Sequence, residues 1–149
     1  MTRTWLCLLI TAVLLCLTCA ATASWGDERC AVSASIANIR QGPGTNYDIL
    51  WRVEKYYPVI VKEKKGDWVK FEDLEKDEGW IHKSLLSKTE TVVVKEDNCN
   101  VRQGPGTNYP VLFKAQKGVP FKILETKDNW VHIKHADGDT GWIYKPLIW

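Results

Sequence analysis

The chain has 149 residues, with 20 Lys and Arg against 18 Asp and Glu, a formal net charge of +2 at pH 7. A balance so close to neutrality argues against a nucleic-acid partner, which usually demands a basic face. Eight tryptophans and five cysteines set the questions that composition leaves open.

Residues Met1–Ala23 are expected to be a secretory signal peptide. Arg3 precedes an apolar run from Trp5 to Leu17, and Ala21-Thr22-Ala23 offers a small-x-small cleavage site before Ser24. The run is short for a bilayer span, which takes about 20 apolar residues. A lipid anchor on Cys16 or Cys19 is the weaker alternative, because Leu15 and Thr18 precede them where a small residue is usual. No other long apolar run follows, so no membrane span is expected after signal removal. The expected location is exported, periplasmic or extracellular, in the cell envelope.

Strand and turn signals then alternate at close spacing, the mark of a small all-β barrel or sandwich. Ala31–Arg40 reads as a first strand anchored by Ile36 and Ile39. Gln41-Gly42-Pro43-Gly44-Thr45-Asn46 bends the chain, since glycine admits positive φ and proline presets φ near −65°. Ile49–Val53 and Val59–Glu63 make the second and third strands, and Lys64–Asp67 a turn. In Trp68–Phe71, alternation puts Val69 and Phe71 on one face and Trp68 and Lys70 on the other. Asp73–Glu78 turns again before a last strand, Gly79–His82.

The same plan returns. Asn38–Tyr47 recurs as Asn100–Tyr109, with Val101 for Ile39 the one change, and Asn100 follows Asn38 by 62 positions. The offset holds without a gap: Trp68-Val69 falls on Trp130-Val131 and Gly79-Trp80-Ile81 on Gly141-Trp142-Ile143. About 22 of roughly 51 pairs from Ile36 to Leu86 are identical, which is a duplication. The chain therefore divides into a signal peptide at 1–23, a first module at 24–87 and a second at 88–149. The connection near Leu86–Thr91 is too short for free tumbling, so a fixed tandem is expected.

Cys30 and Cys99 remain after signal removal. An oxidising compartment favours a Cys30–Cys99 disulfide, with two buried thiols as the alternative. The pair is not symmetric in the repeat, since Cys99 matches Ala37 and Cys30 matches Val92.

The motifs Asn38–Tyr47 and Asn100–Tyr109, the Trp-Val pairs at 68–69 and 130–131, and Gly-Trp-Ile at 79–81 and 141–143 resemble the bacterial SH3-like domain family. The resemblance covers Ala31 to Ile148. It implies an all-β chain of two tandem SH3-like small β-barrels in or near the cell wall. It also implies a targeting role, since such domains are often appended to murein hydrolases and are thought to bind peptidoglycan peptides. Proline-rich-peptide SH3 domains end in a pattern with Pro, Asn and Tyr after the Gly-aromatic-Ile. Here His82-Lys83-Ser84-Leu85 and Tyr144-Lys145-Pro146-Leu147 follow instead, which speaks against a polyproline groove.

Candidate chemistry is sparse. His132, His135, Asp137 and Asp139 cluster in module two, but they straddle a hairpin turn and module one has no matching histidines, so turn chemistry is the better reading and no metal or cofactor is expected. Neither cysteine sits on a helix N-terminus, and no nucleophile-elbow pattern appears, so no catalytic residue is expected. The aromatics remain: Tyr47 and Trp68 in module one, and Tyr109 and Trp130 in module two, are the expected ligand-binding residues, with Trp80 and Trp142 leaning towards the core. The expected function is a non-catalytic module that recognises a cell-wall peptide or recruits a wall enzyme. The alternative is a structural role with an envelope protein as partner.

Overall fold

The computed structural model describes residues 28–149. The expected signal peptide lies outside them. Module one is a seven-stranded antiparallel sheet: β1 (Glu28–Val32), β2 (Ile36–Arg40), β3 (Ile49–Glu54), β4 (Pro58–Lys65), β5 (Trp68–Glu72), β6 (Glu78–His82) and β7 (Leu86–Ser87). Their order is β3-β2-β6-β5-β4-β1-β7. Module two has six: β8 (Thr91–Val93), β9 (Cys99–Arg102), β10 (Val111–Ala115), β11 (Pro120–Lys127), β12 (Trp130–Lys134) and β13 (Thr140–Tyr144), in the order β10-β9-β13-β12-β11-β8.

These are the expected SH3-like all-β modules, with one correction. The hydrogen-bond ladders do not close into barrels; β3 and β7 are the edges of one sheet, and β10 and β8 of the other. The long strands β4 and β11 carry a bulge at the same place, between Val61 and Glu63 and between Ile123 and Glu125. An extra residue there bends the strand and raises its twist, so the sheet wraps over its own core without a closing ladder.

Alternation builds that core. Val69 and Phe71 on β5 and Ile81 on β6 point inward with Ile39, Val59 and Val61. Val131, Ile133, Ile143, Val101 and Phe121 repeat the arrangement. Phe71 is 0% and Phe121 2% exposed, each burial worth about 1.5–3 kcal/mol. Gly79 and Gly141 let β6 and β13 cross close to β2 and β9. A Cβ on Gly79 would overlap Ile39 Cγ2, and one on Gly141 would lie 2.5 Å from Val101 Cγ1.

The expected first strand, Ala31–Arg40, is two strands broken at residues 33–35, and Ile36 is no anchor but 64% exposed. The break lets β1 pair with β4 while β2 turns away to pair with β3 and β6.

The expected disulfide is not formed: Cys30 and Cys99 are free and buried, each in a different core. A bridge needs Cα atoms within about 7 Å, and these thiols belong to separate packed interiors. The Cys99 thiol donates to the Glu96 carbonyl at 3.1 Å. Burial raises both thiol pKa values, so neither is a ready thiolate.

The modules meet at a seam. The Arg29 guanidinium lies 4.3 Å over the Trp149 ring, and Lys117 Nζ pairs with Glu75 Oε1 at 2.6 Å. Trp149 is itself held by backbone bonds to and from Val93, at 2.9 and 3.0 Å. Lys88 in the connection pairs with Glu28 on β1.

Candidate functional site

The repeated ten-residue motif is a loop that its own side chains close. Arg40 Nη1 donates to the carbonyls of Thr45 at 3.1 Å and Tyr47 at 2.8 Å. Arg102 donates to Thr107 at 3.1 Å and Tyr109 at 2.9 Å. The Tyr47 ring lies where a Cβ on Gly42 would stand, and Tyr109 does the same to Gly104, while a Cβ on Gly44 or Gly106 would run into the Asn46 or Asn108 side-chain oxygen. The glycines are thus required for space, and the tyrosine is the lid of its own loop.

Beside that loop each module carries a groove. In module one it measures about 220 Å³, and Asn38, Arg40, Thr45, Trp68, His82 and Leu85 line it. In module two it measures about 640 Å³, with Asn100, Arg102, Thr107, Trp130, Tyr144 and Leu147 at the equivalent positions. A 3-10 turn, Lys83–Leu85 or Lys145–Leu147, brings the leucine to the groove. Each turn is tied to the loop preceding the tryptophan, by Lys83 N to Asp67 O and Lys145 N to Asn129 O, both 2.8 Å.

Of the expected binding residues, Trp68 and Trp130 line the grooves, half-buried on the face opposite the core. Tyr47 and Tyr109 are 41% and 40% exposed but line neither groove. Trp80 and Trp142 are not in the core. They are half-buried on the same outer face, because the glycine before each takes the inward position. Strand register sets Trp68 across from His82, with rings 5.4 Å apart and edge-on. Trp130 faces Tyr144 at 5.5 Å, and His132 stacks on Trp142 at 4.9 Å. Module two therefore carries four rings in two neighbouring pairs.

The module-two histidines diverge. While His132 joins that outer face, His135 Nδ1 lies 2.8 Å from Asp137 Oδ1, which also accepts from Asp139 N at 3.0 Å. Asp137 is held below the usual carboxylate range chiefly by that backbone bond, then by His135. This is turn architecture, and among the described residues no group of three or more His, Cys, Asp or Glu could hold a metal ion.

Sequence reasoning missed Asn38, Arg40, His82, Leu85 and their counterparts as groove residues. The signal was available in part, since Asn38 and Arg40 stand inside the repeated motif.

The bacterial SH3 domain profile matches residues 33–88 and again 95–149. The chain belongs to that family. Among curated proteins it is 38% identical over 65 residues to a putative N-acetylmuramoyl-L-alanine amidase, YrvJ, of Bacillus subtilis, covering 44% of this chain and 12% of the amidase. It is 38% identical over 48 residues to the probable cell wall amidase LytH of Staphylococcus epidermidis, covering 32% of this chain and 16% of that protein. The chain thus spans a small part of the curated relatives it matches. Solved structures include an NlpC/P60 family protein from Bacillus cereus, with TM-score 0.39 and 14% identity over 82% of this chain and 56% of that one. NlpC2 from Trichomonas vaginalis matches at TM-score 0.36 and 13% identity, over 83% of this chain and 48% of that one.

Proposed function

We propose that the chain is an exported, non-catalytic binding module of the cell envelope, which offers two Trp-walled grooves to a cell-wall peptide or recruits a wall enzyme. The carrying observation is that six equivalent positions line a groove in both modules. Desolvated aromatics are the usual carriers of binding energy. A match about one module long inside much longer wall amidases is what an appended targeting module gives. Two weak sites at fixed spacing raise avidity through effective concentration. The Arg3–Ala23 pattern supports export.

Co-sedimentation with purified peptidoglycan sacculi tests this, using the wild-type chain, Trp68→Ala, Trp130→Ala and the double variant beside thermal melts. Wild type sediments with the sacculi; each single variant loses part of the binding and keeps a cooperative melt. A wild type left in the supernatant overturns the reading. So does the loss of cooperative melting in both single variants, which would make the tryptophans structural. Released muropeptides would make the chain an enzyme.

The alternative, a structural role with a protein partner, has its own observation. Edge strands β3 and β10 expose Ile49 and Leu50, and Val111 and Leu112, by 41–52%. Unpaired edges with apolar side chains accept another strand. A co-purifying envelope protein with no sacculus binding favours it.

A further inference from the structure

We infer that the two grooves have different ligand chemistry: the module-two groove takes an extended peptide bearing a primary ammonium group, and the module-one groove does not. This rests on the envelope-peptide reading and narrows it.

The difference lies in the residues that share the groove with the aromatic pair. In module two these include Glu96, Asp97 and Asn98. The equivalent positions in module one are Ala34, Ser35 and Ile36, and no acidic residue lines that groove. This acidic segment is held in place. Asn98 takes the left-handed region at φ 57, and its N–H donates to Gln116 Oε1 at 3.4 Å. Gln116 Nε2 donates back to Asn98 Oδ1 at 3.2 Å, and Lys117 N donates to Asp97 Oδ1 at 3.2 Å.

Two of the neighbouring cations, Arg102 and Lys117, hold contacts with other groups, though Lys117 also interacts with Asp97 and Glu96. Arg102 lies in the groove, but its two hydrogen bonds go to the loop carbonyls of Thr107 and Tyr109. Lys117 reaches across the seam to Glu75 at 2.6 Å. Glu96 forms no ion pair with any described residue. Trp130 and Tyr144 line the same groove, and their ring faces attract a cation. Asn100 and Thr107 supply neutral polar groups for a peptide backbone. A groove of about 640 Å³ has room for a short extended peptide, whereas the module-one groove is a third of that size. In module one, His82 replaces the phenol and is occupied by Ser84 Oγ at 2.7 Å.

The test is titration of the described modules in their full tandem with the peptide acetyl-Gly-Lys-Gly-amide and with its Nε-acetyl-lysine counterpart. Indole N–H resonances of Trp130 and Trp68 are followed by NMR. The lysyl peptide shifts Trp130 and leaves Trp68 in place. Acetylation of the lysine weakens binding about threefold to tenfold, the size expected for exposed charge and ring contacts. Glu96→Gln with Asp97→Asn, which keeps the acceptor for Lys117 N, weakens the lysyl peptide to the level of the acetylated one. Equal affinity for both peptides, an equal response at Trp68, or no response at Trp130 overturns the inference. Sacculus binding that survives this double substitution but is lost in Trp130→Ala also overturns it, and leaves the envelope-peptide reading standing.

Discussion

Modules one and two meet the same backbone demands with different residues. Tyr56 has φ 74 where module two has Gly118 at φ 85. Lys76 has φ 70 where Gly138 has 111, and Asp128 has φ 51 where Gly66 has 60. At all three turns one copy uses glycine and the other holds an L-residue in the left-handed region, which costs about 1–2 kcal/mol. The turns are therefore imposed by the strands they connect, since each position keeps a positive φ whichever residue occupies it. A local glycine preference follows the fold here and does not create it.

The largest expected effect lies at the strand crossing of each module. Gly79→Ala and Gly141→Ala each push a Cβ into a packed neighbour, and overpacking of this kind costs about 1–3 kcal/mol. Gly79 meets the Ile39 and Trp51 side chains, and Gly141 meets the Val101 side chain and the Arg102 carbonyl at 3.0 Å, so both modules lose stability in urea melts. A neutral result at both positions contradicts the close approach of β6 to β2 and β13 to β9.

Exchanging the turn residues has a smaller effect of opposite sign in the two copies. Gly118→Tyr costs about 1–2 kcal/mol. Tyr56→Gly gains about 0.5–1 kcal/mol, the relief of strain less the contact of Lys55 Nζ with the ring at 5.3 Å. If Tyr56→Gly destabilises instead, the phenol ring holds the turn in a way its backbone angle does not reveal.

The smallest expected effect concerns acid. Hydrogen bonds from Lys64 and then Lys88 hold Glu28 below the usual carboxylate range. A depressed carboxylate contributes stability that is present above its ordinary pKa and lost as pH falls through the folded value. Module two has Thr126 where module one has Lys64, so this sensitivity belongs to module one. Hydrogen exchange of β1 amides accelerates on acidification relative to β8, by an amount worth less than about 1 kcal/mol, and Glu28→Gln removes the difference. Equal acceleration in both strands rejects the assignment.

What was legible in the sequence was whatever alternation and repetition encode. Val69 and Phe71 inward with Trp68 outward follows from period two alone. The repeat exposed the module plan, and the spacing of Gly79-Trp80-Ile81 showed a constrained strand. Trp80 was misjudged because a buried glycine before it moved the tryptophan to the outer face. Ile36 was misjudged because the β1–β2 break at Ser33–Ser35 carries no glycine or proline to mark it. The disulfide was expected from compartment, yet compartment says nothing about whether two thiols share an interior. The grooves needed tertiary structure, since Trp68 and Leu85 meet only through a 3-10 turn that has no helical period to read. The contrast of Glu96-Asp97-Asn98 with Ala34-Ser35-Ile36 was visible as text, but its placement in one groove with Trp130 was not.

The seam has a thermodynamic consequence. Trp149 completes module two by pairing with β8, and its ring is covered by Arg29 from module one. Opening either module uncovers that contact, so the two unfolding equilibria are linked. A ligand that occupies one groove lowers the opening of its own module and, through the shared contact, that of its neighbour. A module whose groove is empty is then protected by the occupancy of the other, to the extent of the coupling energy in the seam.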